Sequence, residues 1–274
     1  MTTPFMLRAL TELLLLAAIC GPVSVFVFAR RLSFVADALT HTVFPGVVIG
    51  FLFGGASGVF LGALAAGLLT AIGLTLLDRL PSDAATAVLL TSMFAVGVAL
   101  VSRRTSYTSD LTAFLFGRIL TVTMSQIVET AVLGVIVLAS LAIGGRAFLF
   151  RTFDPAGAAA AGYRVARLDL WLNVIVALVV VAAVRAVGTV LVVALLVVPA
   201  AAARLVTARV IPMIVVATAL TAGAGYLGLW LSWTASVDHG MRVTSASAVV
   251  LLLVAAYLVL LPLPSKGRRR DLVA

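Results

Sequence analysis

Long, uninterrupted apolar runs separated by short polar or basic breaks dominate this chain. Charge-free windows fall at 13–29, 42–77, 84–102, 130–145, 170–184, 186–203, 210–237 and 243–265. A helix needs about 20 mostly apolar residues to cross the hydrocarbon core of a bilayer. The window 42–77 is 36 residues long and is broken by Gly54-Gly55-Ala56-Ser57-Gly58, a turn signal, so it predicts most of two spans. Extending the windows to their polar edges predicts nine spans: 9–29, 36–54, 58–77, 83–102, 124–145, 168–185, 188–206, 209–230 and 243–262. The sixth and seventh meet at 185–188, which leaves little room for a loop, so the expected count is bracketed at eight to ten. The period-two alternation of a membrane barrel is absent. The predicted fold is an all-α polytopic membrane bundle, one transmembrane domain over 1–274 with a basic tail at 264–274. Small residues such as Gly62, Ala66, Gly67 and Ala200 to Ala203 let such helices approach closely.

Composition agrees. Of 274 residues, 63% are hydrophobic and 11% charged, against about 45–50% and about 25% in a soluble domain. Too few charges remain to cover a water-soluble surface, which excludes a soluble enzyme or a disordered chain. The net charge of +9 does not point to nucleic acid, because the basic residues are scattered between apolar runs. The single cysteine, Cys20, cannot form an internal disulfide and reads as a packed small residue. The run Leu13 to Ala29 ends in Arg30-Arg31 instead of a small-residue cleavage site, so it is expected to be a retained span. Placing the loop after the first span in the cytoplasm puts 13 Arg and Lys residues inside and 6 outside. The positive-inside rule therefore predicts a cytoplasmic C-terminus and, with nine spans, an external N-terminus. The loop 103–123 dissents, with Arg103, Arg104 and Arg118 on the outer side, and is expected to be re-entrant unless one span is misplaced.

The candidate chemistry is sparse. The only lysine, Lys266, is followed by Gly267, so the chain has no P-loop. H-E-x-x-H and G-x-S-x-G are also missing, and nothing reads as an enzyme. Asp37 and His41 are four apart in the predicted second span and share a helix face. A carboxylate with an imidazole suits Mn²⁺, Fe²⁺ or Zn²⁺, and ionisable residues within a span mark function. In the alternative, Asp37 caps the helix and His41 bonds a neighbouring helix. Asp238 and His239, before the last span, read either as an entrance for a cation or as solvated loop residues. Asp83, after Pro81-Ser82, reads as a helix-start residue. The connection from about Arg146 to Leu168 holds a short predicted helix, started by Asp154-Pro155 and ended by Gly162, that could dock on a partner or lie at the headgroups. Pro199 predicts a kink within its span.

Five of these stretches, in order, resemble the metal-ion permease family of ABC importers. They are "RRLSFVADALTHTVFPGVVIG", with Asp37, Ala38, Leu39, His41 and Gly46, then "SDAATAVLLTSMFAVGVALVS", with Asp83 and Gly97. "DLTAFLFGRIL" is third, with Leu115, Phe116 and Gly117, then "FDPAGAAAAG", with Asp154, Ala158 and Gly162, and "GTVLVVALLVVPAAAARL" around Pro199. The resemblance implies a permease of a bacterial inner membrane, acting with a second, identical or different, permease copy. It implies two cytoplasmic ATPase subunits gripping Phe153, Asp154, Ala158 and Gly162, and an extracellular binding protein that delivers the ion. Asp37 and His41 become the pathway ligands for a transported divalent ion, with no resident cofactor. The segment "LSWTASVDHGMRVTSAS" departs from the family pattern at the outer gate. Three rivals remain: a proton-coupled secondary transporter, an ABC permease for a metal chelate such as a siderophore or cobalamin, and a non-transporting scaffold.

Overall fold

A computed structural model describes residues 4–77, 82–102, 117–238 and 244–262. Its elements are α1 (Pro4–Ala29), α2 (Ser33–Gly55), α3 (Ser57–Leu76) and α4 (Ser82–Ser102), followed by a 3-10 turn (Ile119–Thr121). Then come α5 (Met124–Phe153), α6 (Pro155–Ala160) and a helical stretch Val165–Val206, which Gly188 divides into α7 (165–187) and α8 (189–206). Two more, α9 (Val210–Asp238) and α10 (Ser245–Leu260), complete the order.

Two tight reversals build the core. Gly55 (φ 59°, ψ −145°) ends α2, and α3 folds back along it. Gly50 lies against Gly58, and Gly46 against Gly62, so closely that a Cβ on any of the four would enter the partner's backbone. Glycine at these positions allows two backbones to touch where no aqueous force drives helices together. Gly62→Val should therefore split the hairpin and cost about 3 kcal/mol, the upper part of the overpacking range. A melting curve in detergent matching the wild type would contradict that packing.

The second reversal explains why the sixth and seventh predicted spans need no loop. At Gly188 the backbone takes φ 78° and ψ 164°, a region open to glycine and strained for other residues. Asp169, near the start of α7, pairs with Arg30 after α1 and Arg151 near the end of α5. At the far end of α7, Arg185 meets Glu129 near the start of α5 at 2.5 Å. Arg204, near the end of α8, shares a cavity with Ala29, Arg31 and Phe153. Both arms thus begin or end beside Arg30, and α8 returns antiparallel to α7.

Six helical stretches are long and apolar enough to cross a membrane when Val165–Val206 is counted as one. Division at Gly188, together with α4 and α10 (whose apolar parts Thr86–Leu100 and Ser245–Leu260 are shorter), gives nine rods among the described residues. They alternate between an arginine-rich end and an opposite end, so residues 4 and 262 lie at opposite ends. The α7–α8 pair is the buried centre, touched by α1, α2, α3, α5, α9 and α10. Large apolar side chains face outward on the rim, Phe53 at 89% and Ile143 at 79% exposure among them, as a lipid solvent permits.

Polar residues lock the bundle internally. Thr130 donates a hydrogen bond of 2.7 Å to Glu12, which is fully buried between α1 and α5. Asn173 donates to Thr75, tying α7 to α3 at 3.1 Å. The α5 N-terminus carries a reciprocal capping box between Thr123 and Gln126. Its 30 residues make a rod about 45 Å long, which runs past the predicted span 124–145 to Phe153. Most of the predicted 146–168 connection is therefore helix.

Of the dissenting loop, residues 103–116 lie outside the described residues, Leu115 and Phe116 among them. The stretch from Gly117 to Thr121 packs into the bundle, with the 3-10 turn against α1. Arg118 donates its N–H to the Ala186 carbonyl at 3.2 Å, and Gly117 (φ 74°) lies against the backbone of Val187 and Gly188.

Candidate metal site and coupling segment

The α2 helix positions the candidate ligands. Asp37 is its fifth residue, past any capping position, so the capping reading of Asp37 does not hold. His41 lies about 12 Å along a helix about 35 Å long, with Nε2 3.8 Å from Asp37 Oδ1. That distance is too long for a hydrogen bond and leaves both atoms turned toward one space. The two side chains retain 39% and 26% exposure, Asp37 first, inside an otherwise buried stretch of α2. Phe94 of α4 stacks edge-on against the His41 ring, with centroids 5.5 Å apart, and it also contacts Phe44. Gly97, one turn further along α4, makes room for the Phe44 ring. Pro45 has no N–H, so the His41 carbonyl lacks its usual helical donor.

The weaker candidates do not converge on this pair. Asp238 is exposed and ends α9 at the opposite end of the bundle, while His239 lies outside the described residues. Among the described residues, no three His, Cys, Asp or Glu side chains gather where they could hold one metal ion. Cys20 is buried in the core. Asp37 and His41 thus offer two donors to a candidate metal site, with no third such side chain beside them among the described residues.

The candidate docking segment folds as the short helix its sequence predicts. Asp154 accepts a 2.8 Å hydrogen bond from the Gly157 N–H, and Pro155 occupies the first turn. Gly162 (φ 87°) closes α6, with the Tyr163 N–H reaching Ala158 O and the Gly162 N–H reaching Ala159 O, both at 3.0 Å. Ala158 is the one fully buried residue of α6, which packs between α5 and α7. Phe153, 71% exposed, and the rest of the segment face outward from the arginine-rich end.

The model of the ABC 3 transport family matches residues 2–260. The chain belongs to that family. Within it, this ABC 3 permease is 32% identical over 252 residues to the manganese transport system membrane protein MntC of Halalkalibacterium halodurans, covering 91% of this chain and 86% of that one. It is 30% identical over 269 residues to a protein of Haemophilus influenzae named as an iron transport system membrane protein, covering 97% and 96%. The solved structure of PsaBC from Streptococcus pneumoniae, in complex with Fab, superposes with a TM-score of 0.86 at 31% identity, covering 100% of this chain and 96% of that one. The ABC 3 permease is a multi-pass membrane protein, and its fold is shared with that structure.

Reading the sequence missed three polar features of the permease. They are the Asp169 clamp on Arg30 and Arg151, the Glu129–Arg185 pair and the buried Glu12. The signal was present, since each is an ionisable residue at the edge of an apolar window. Their partners are 139, 18, 56 and 118 positions away.

Proposed function

We propose that this ABC 3 permease forms the membrane pathway of an ATP-driven importer of divalent transition-metal ions, manganese foremost. The observation that carries the reading is the Asp37–His41 pair, the two metal-capable side chains that meet within a span among the described residues. Manganese is favoured by the name of the H. halodurans relative and by a donor set of oxygen and nitrogen without thiolate, which suits Mn²⁺ and Fe²⁺ over softer ions. The proposed assembly has a second permease copy, two cytoplasmic ATPase subunits and an extracellular metal-binding protein, in a bacterial inner membrane with the arginine-rich end inside. The ion arrives from the binding protein, exchanges water for Asp37 and His41, and leaves when the bundle re-packs. The free energy comes from the ATPases, which push on α6 and through it on α5 and α7.

Vesicles holding the full complex test this. Manganese uptake should require ATP on the ATPase side and be unaffected when the proton gradient is collapsed. Uptake that follows the proton gradient without ATP belongs to the rival secondary transporter. Asp154→Ala, which removes the cap of α6 at a local cost of about 1 kcal/mol, should lower the amount of ATPase co-purified with the permease. Full recovery of ATPase with this variant would place the grip elsewhere.

A further inference from the structure

At the arginine-rich end, a cavity of about 460 Å³ opens between the ends of α1, α5 and α8 and the start of α9. Phe28, Leu149, Val210 and Met213 contribute its apolar walls, and Arg31 and Arg204 its charge. Among the described residues, no carboxylate lines it. The neighbouring arginines behave differently, since Arg30 and Arg151 are both engaged by Asp169. Among the described residues, Arg31 meets no carboxylate, and Arg204 spends one donor on the Ala208 carbonyl at 3.1 Å. A guanidinium has five N–H donors, so both retain capacity for an anion.

Arg31 is also placed at a cost. It holds φ 56° after α1, where the Leu32 N–H returns to Val27 O at 2.8 Å and the Arg31 N–H to Phe28 O at 3.1 Å. Such a helix end ordinarily takes glycine. Here an arginine occupies it, beside the cavity.

We propose that this cavity binds the headgroup of an anionic phospholipid from the leaflet at the arginine-rich end. Two guanidinium groups that meet no carboxylate among the described residues fit the phosphate, and the walls below them fit the start of the acyl chains. The location suits a lipid, because the cavity lies where spans end, and the adjacent α9 residues Ile211 and Val215 are exposed apolar side chains, at 76% and 62%. A free phosphate would have no use for aromatic and aliphatic walls. The proposal depends on the membrane topology and is independent of the metal that is carried.

The test is native mass spectrometry of the full-length chain, extracted from membranes and offered phosphatidylglycerol or phosphatidylcholine. The wild type should retain phosphatidylglycerol selectively. Each basic residue near a membrane surface contributes about fivefold to such binding, so Arg31→Gln and Arg204→Gln should each weaken retention about fivefold, and the pair more. Arg146→Gln, which removes an arginine of α5 outside the cavity, should leave retention unchanged. Arg204→Lys keeps the charge and should fold and retain the lipid if the paired variant proves unstable. Equal losses with Arg146→Gln would reduce the effect to general surface charge and overturn the site. Displacement of the lipid by excess inorganic phosphate would make it a site for the free anion, and equal retention of phosphatidylcholine would remove the role of charge; both overturn the proposal.

Discussion

Cells that carry His41→Ala or Asp37→Ala are expected to lose manganese uptake while the permease still reaches the membrane and assembles with its partners. The two donors are partly exposed, are 3.8 Å apart, and have no third His, Cys, Asp or Glu beside them among the described residues. With so few protein ligands, each carries a large share of the affinity. Losing one leaves a single donor that cannot compete with the ion's hydration shell. Neither truncation opens a sealed core cavity or strips a partner from a buried charge, so stability should change little. Uptake should fall by at least about tenfold in each variant, the loss expected when about 1.4 kcal/mol or more of binding is removed, read in whole cells beside an immunoblot for the assembled complex. Wild-type uptake by either variant would remove that residue from the pathway.

Asp169→Ala should have the second largest effect, on stability. The Asp169 carboxylate bridges Arg30 and Arg151 and so ties the ends of α1 and α5 to the start of α7. Both arginines are largely buried, and Arg30 Nη1 and Arg151 Nε already lack a hydrogen-bond partner among the described residues. Removing the shared carboxylate leaves two like charges side by side in a dry setting. Breaking a buried pair in this way costs about 3–5 kcal/mol. Because α6 hangs between α5 and α7, the loosened joint should also transmit less of any push from the ATPases. Thermal unfolding in detergent reads the first consequence, and the ratio of ATP hydrolysed to metal transported reads the second. A melting temperature and ratio equal to wild type would show that the clamp holds nothing together.

The spans were legible because lipid imposes a simple rule on sequence: an apolar run of sufficient length becomes a rod. The turn at Gly54-Gly55 was legible for the same reason, since a glycine cluster breaks a run too long for one span. Gly188 was harder. It stands alone in an apolar stretch, and its positive φ reverses the chain without any polar loop to advertise the turn. The end of α5 was misplaced because Arg146 was taken as its edge, whereas the helix runs on to Phe153. Glu12, Glu129 and Asp169 lie inside helices, each bonded by a residue outside its own rod. Pairings at such separations leave no local pattern. For the candidate site, the four-residue spacing correctly placed Asp37 and His41 on one face of α2. What completes the coordination was beyond a single sequence, because among the described residues the chain brings no third ionisable ligand there.

Pulsed electron paramagnetic resonance of manganese added to the permease–ATPase complex decides whether the transported ion bonds to the imidazole of His41. The permease has two histidines, His41 and His239, so the assignment is unambiguous by substitution. Nitrogen coupling to the bound manganese should be present in the wild type and in His239→Gln, and absent in His41→Gln. Coupling that persists in His41→Gln, or manganese bound without any nitrogen coupling in the wild type, would mean that His41 does not ligate the ion.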